Sequence, residues 1–80
     1  MRIDKFLKVA RIIKRRTMAN EACAGGRVLI NGNSAKAATK VKTGDIIEIR
    51  FGNRLTKLKV LETKEHVRKE EARELFEILT

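Results

Sequence analysis

Residues 25–34 read Gly25-Gly26-Arg27-Val28-Leu29-Ile30-Asn31-Gly32-Asn33-Ser34, and this stretch marks where the chain passes from helix to sheet. The Gly pair is a helix stop. Val28, Leu29 and Ile30 form a short apolar run of strand type. Asn31-Gly32 behind it is the strongest two-residue signal for a type I′ hairpin, since both central positions need positive φ. The return strand is expected at Ser34 to Lys36.

Toward the amino end, Ile3, Phe6, Leu7, Ala10 and Ile13 recur at helical spacing and form one apolar stripe. Arg2, Lys5, Lys8 and Arg11 step along the other side. Asp4 falls in the first turn, where a carboxylate suits the helix dipole, and four residues before Lys8, with which it can pair. Lys14-Arg15-Arg16 crowds three like charges and reads as a helix end or connection. Thr17 is the expected N-cap of a second helix through Met18, Ala19, Asn20, Glu21, Ala22 and Cys23.

Toward the carboxyl end, Lys42-Thr43-Gly44-Asp45 reads as a turn into a strand over Ile46 to Phe51, where Ile47, Ile49 and Phe51 alternate with Glu48 and Arg50. Gly52-Asn53 makes a second tight turn before a strand from about Arg54 to Leu61. The last segment returns to helical period, with Ala72, Leu75, Phe76 and Leu79 on one side and Glu70, Glu74 and Glu77 around the other. The order predicts a small α+β domain: two N-terminal helices packed on a small, mostly antiparallel sheet over residues 1–61, and a C-terminal helical extension over 62–80.

Charge is the second strong signal. The chain has 80 residues and a formal net charge of +9. Residues 1–16 hold seven of the nineteen basic side chains and a single acid, whereas residues 62–80 are net acidic. An ordinary solvated face mixes signs. This one hardly does, so a polyanion is the expected partner. With three Phe and no Trp or Tyr, stacking of bases on aromatic platforms is poorly supplied, which favours recognition by phosphate and shape. Arg27 and Lys36 flank the hairpin and would form a basic corner beside the helices.

Other chemistries find little support. No apolar segment approaches the ~20 residues of a membrane span, and the charged start does not read as a secretory leader, so a cytoplasmic protein is expected. A lone Cys23 and a lone His66 cannot build a zinc site, and no GxGxxG or P-loop occurs. No metal or other cofactor and no catalytic role are expected, and Cys23 reads as a small buried hydrophobe. The acidic terminal segment can be read as packing on its own sheet or as a partner-binding face.

The segments Arg2-Ile3-Asp4-Lys5-Phe6-Leu7, Lys14-Arg15-Arg16-Thr17, Gly26-Arg27-Val28, Ile30-Asn31-Gly32 and Lys42-Thr43-Gly44-Asp45-Ile46 resemble the RNA-binding domain named after ribosomal protein S-four. DKFLKVARIIKRRT, GRVLINGNSAKA and KEEA resemble more narrowly its stand-alone members in bacterial ribosome-associated quality control, which are related to the small ribosome-binding heat-shock protein. Met18 in place of Leu, and the Ala-Gly-Gly approach to Arg27, depart slightly from that pattern without removing a charge. The resemblance implies a non-enzymatic, monomeric factor. It would bind obstructed large ribosomal subunits through large-subunit rRNA and peptidyl-tRNA. With a tRNA-recruiting elongation partner of the RqcH type, it would support C-terminal alanine tailing of stalled chains. By position it implies an RNA surface of Arg2, Lys5, Arg15, Arg16, Thr17, Arg27, Asn31 and Lys36, which Lys8 and Arg11 of the basic helical stripe extend, with Asp4 orienting neighbouring basic groups or touching a partner. A general ribosome-binding RNA chaperone or assembly and rescue factor, and an adaptor working through the terminal segment, stay open as alternatives.

Overall fold

A computed structural model describes all residues, Met1 to Thr80. Two short helices, α1 (Ile3–Val9) and α2 (Arg16–Ala24), precede strands β1 (Val28–Ile30), β2 (Asn33–Ser34), β3 (Ile46–Phe51) and β4 (Arg54–Val60). A 3-10 helix over Lys69–Leu75 leads into a last strand, β5 (Phe76–Ile78). The five strands form one sheet of order β2-β1-β3-β4-β5, antiparallel at every pairing. The α+β architecture is as expected, and the sheet is antiparallel throughout.

The core follows from the two periodicities. Ile3, Phe6, Leu7, Ala10 and Ile13 from the first segment, and Ala19, Ala22 and Cys23 from α2, are buried with Val28, Ile47, Ile49, Leu58 and Val60 from the sheet. Alternation on β3 and β4 puts these strand residues on one face, while Glu48, Lys57 and Lys59 stand on the other. Small residues on α2 allow its close approach to α1.

Both helices end in the same way. At the end of α2, Gly26 N–H donates to Cys23 O at 3.0 Å and Arg27 N–H to Ala22 O at 3.0 Å, with Gly26 at φ 75°. That is a Schellman motif with glycine in the left-handed position. At the end of α1, Arg11 N–H donates to Lys8 O and Ile12 N–H to Leu7 O, both at 3.0 Å, with Arg11 at φ 59°. The motif is the same but an arginine occupies the strained site, at a cost of about 1 kcal/mol. The first helix therefore stops at Val9, short of the stripe's last member. Ile13 is still buried because the turn folds it back.

Three local expectations are corrected. Thr17 is not the N-cap of α2: Arg15 holds that position without a side-chain cap, and Thr17 lies inside the first turn. The return strand of the hairpin is Asn33–Ser34 rather than 34–36, because the two-residue turn places Asn33 directly opposite Ile30. The C-terminal helix is present only as the 3-10 segment Lys69–Leu75. Its expected continuation through Phe76 and Leu79 is replaced by β5, which pairs Phe76 with Val60 and Ile78 with Leu58. The free edge of β4 satisfies the backbone of this segment as a ladder, which outweighs a short stretch of helical period. The hairpin turn itself is as read, with Asn31 at φ 49° and Gly32 at φ 86°.

Candidate nucleic-acid interface

The amino terminus is stitched to the loop after β2. Ile3 N–H donates to Thr39 O at 2.7 Å, and Val41 N–H donates to Met1 O at 2.8 Å. An isolated antiparallel bridge pairs Arg2 with Lys40. These bonds fix where α1 begins and bring Lys40, which no local sequence signal marks, beside Arg2, Lys5 and Arg16 in one shallow cleft.

Asp4 organises that region. Its side chain is 2% exposed and accepts the Lys5 N–H at 2.8 Å. Arg2 Nη2 donates to Asp4 Oδ2 at 3.2 Å, and Arg16 Nε lies 3.4 Å from the same oxygen. Lys8, the expected i+4 partner, has no carboxylate within ion-pairing distance. The reason is direction: Asp4 turns inward between the helix starts, whereas Lys8 faces solvent. A buried carboxylate needs such compensation. The two arginine side chains remain 43% and 47% exposed, so each is held by Asp4 and still open to a ligand. Thr17, Asn20 and Glu21 extend this wall along the exposed face of α2.

The remaining predicted residues fall into separate settings. Lys5 is half-buried and pairs with Glu65 at 3.2 Å. Lys8 and Arg11 line a different cleft of about 530 Å³, together with Lys14, His66 and Lys69. Arg15 is exposed at the start of α2. Arg27 lies past the other end of α2, about 14 Å away by helical rise. Its guanidinium covers Gly25 so closely that a Cβ there would sit 3.0 Å from Nη1. A cation at that end suits the helix dipole. Lys36 is exposed, with its N–H donating to Thr39 Oγ1 at 2.9 Å.

Asn31 is exposed at the hairpin tip, yet its amide bonds to the fold. Its Nδ2 donates to Asp45 Oδ1 at 3.0 Å, and its Oδ1 accepts the Ile46 N–H at 2.9 Å. Asp45 is buried, and its second oxygen accepts the Lys42 N–H at 2.9 Å. Both ends of the amide thus latch the hairpin tip to the start of β3. Asn31 shapes the basic corner through these bonds, and its exposed amide keeps one N–H and one lone pair beyond them. Cys23 is buried in the core, where desolvation first and the Asp4 charge second push its thiol pKa above the usual 9.0. No group of three or more His, Cys, Asp or Glu side chains is placed to hold a metal ion. No helix is long and apolar enough to cross a membrane.

Two short helices, an Asn-Gly hairpin and a basic face ordered by one buried carboxylate define a small RNA-binding domain of the S4 type. Residues 1–47 match the family model for the S4 domain, and the chain belongs to that family. Along its whole length it is similar to proteins called RQC P-site tRNA stabilizing factor. With the one from Halalkalibacterium halodurans it shares 58% identity, covering 98% of this chain and 89% of that protein. With the one from Bacillus subtilis it shares 53%, covering 99% and 92%. Among solved structures, a trimeric structure of Vibrio cholerae heat shock protein 15 superposes with a TM-score of 0.90 at 32% identity, covering 98% of this chain and 80% of that one.

Proposed function

We propose that this chain is a non-catalytic factor of ribosome-associated quality control that holds a tRNA on an obstructed large ribosomal subunit. It binds large-subunit rRNA and peptidyl-tRNA in the cytoplasm. It supports C-terminal alanine tailing by an elongation partner of the RqcH type, with peptide-bond chemistry left to the ribosome. The observation that carries the reading is the Arg2–Asp4–Arg16 arrangement, in which one buried carboxylate sets two half-open guanidiniums side by side. Planar forks fixed in this way suit phosphate oxygens. The names of the full-length relatives support the assignment to quality control and to the P-site tRNA. In this reading the factor works as a monomer, since Arg2, Asp4 and Arg16 of one chain make the arrangement.

Arg16→Glu tests the reading. Arg16 also compensates buried Asp4, so the variant is expected to be less stable but still folded, as its melting curve checks, while co-sedimentation with obstructed large subunits is lost. Unchanged co-sedimentation would overturn the site. The likeness to heat shock protein 15 favours a second reading, a rescue factor for the same particle. Reconstituted tailing with and without the chain separates the two, since only the first requires that alanine addition drop in its absence.

A further inference from the structure

Six of the seven basic residues at the amino end divide into two sets that the linear sequence does not distinguish, while Arg15 is exposed and lines neither cleft. Arg2, Lys5 and Arg16 each meet a carboxylate. Lys8, Arg11 and Lys14 meet none, and neither does Lys69, which the fold carries in from the far end of the chain. These four line the cleft of about 530 Å³ between the last turn of α1 and the segment after β4. The one acid in the cleft wall, Glu65, is turned to Lys5 at 3.2 Å. The floor is apolar, made by half-buried Val9, Ile12 and Val67, and the exposed ring of His66 stands at the rim.

Arg11 adds an independent observation. Its φ of 59° occupies the position that glycine takes in the matching turn of α2. Backbone strain at a non-glycine residue is retained where the side chain serves a purpose that glycine cannot. In this turn the residue so held lines the cleft wall.

We infer that this cleft is a binding site for an unpaired RNA nucleotide, with its flanking phosphates on Lys8, Arg11, Lys14 and Lys69 and its ribose and base against Val9, Ile12, Val67 and His66. A concave site of this volume belongs to the size class that accepts a small molecule. Paired bases lie inside their stack and cannot enter it, whereas a splayed base offers an apolar face for the floor and for stacking on His66. Four cations without partners answer the phosphates on either side. The inference rests on the RNA-binding reading of the chain and names, within it, a class of ligand for a part of the surface separate from Arg2 and Arg16.

The test measures binding of the full chain to a fluorescent oligouridylate and to a blunt-ended, fully paired RNA duplex, across a salt series. Arg11→Gly relieves the strained φ, so its melting temperature should equal or exceed that of the parent protein. Its affinity for oligouridylate should fall about tenfold at low salt, and the log–log salt slope should become shallower by about 0.7. Lys69→Gln should reproduce the loss, while binding of the paired duplex changes less than twofold for both variants. Unchanged oligouridylate binding, or an equal loss on both RNAs, would overturn the inference. Free uridine monophosphate displacing the oligomer at equal nucleotide concentration would also overturn it, in favour of a mononucleotide site. Failure here while Arg16→Glu still abolishes co-sedimentation rejects the cleft alone. Persistence of both binding and co-sedimentation rejects the wider reading.

Discussion

Asp4 in the first turn of α1 and Arg16 in the first turn of α2 meet at 3.4 Å, so one buried carboxylate ties the two helices together at their amino ends. The same oxygen holds Arg2 at 3.2 Å. An acid in the middle of a basic face thereby strengthens it, because it exchanges a little positive charge for fixed direction.

Asp4→Asn separates direction from charge. It leaves two guanidiniums without their anchor and weakens the bond from the Lys5 N–H, at a cost of about 2 kcal/mol. For a domain of this size that lowers the melting temperature by roughly 10 °C. Net charge rises by one, yet ribosome affinity should fall. Tighter binding in a salt-matched co-sedimentation series would show that bulk charge, not placement, governs association.

Asn31→Ala removes both side-chain bonds of the latch, to Asp45 and to the Ile46 N–H, and leaves a residue at φ 49° without them. The expected loss is about 2 kcal/mol. Asn31→Gly restores backbone freedom without the bonds and should lose about half as much. Chemical denaturation of the pair measures the division between turn geometry and the Asp45 latch.

Gly25→Ala places a Cβ 3.0 Å from Arg27 Nη1 and 3.3 Å from Glu21 O. Gly25 has φ −81°, so the backbone accepts alanine. The flexible guanidinium is the part that must move. Stability should stay within about 0.5 kcal/mol, while RNA affinity falls a few-fold because Arg27 leaves its place over the end of α2. A loss of stability without loss of affinity would mean that the close approach serves packing alone.

Cys23 gives a pH signature. Its thiol is raised above 9.0 by burial, with Asp4 adding repulsion. The unfolded chain therefore loses this proton first as pH rises, so the contribution is complete below about pH 9 and is lost above it. Denaturation midpoints of the parent protein should fall more steeply through alkaline pH than those of Cys23→Ala. At neutral pH the folded thiol should resist labelling, and Cys23→Ser should leave ribosome association unchanged.

Much of this molecule was legible in its linear order, because several signals are local. The apolar stripe of the first segment, the glycines that stop α2, the Asn31-Gly32 turn and the alternation on β3 each act within a few residues, where periodicity and turn chemistry suffice. So does the crowding of cations at the amino end. Tertiary structure decided the rest. Only the open edge of β4 turns Phe76–Ile78 from helical period into a strand. The inward turn of Asp4 selects Arg16 over Lys8, and buried Asp45 makes Asn31 a latch. Lys40 and Lys69 join basic clefts through contacts far apart in the chain. Short-range preferences set which elements form. Which partner satisfies each buried backbone or charged group depends on what the fold brings within bonding distance.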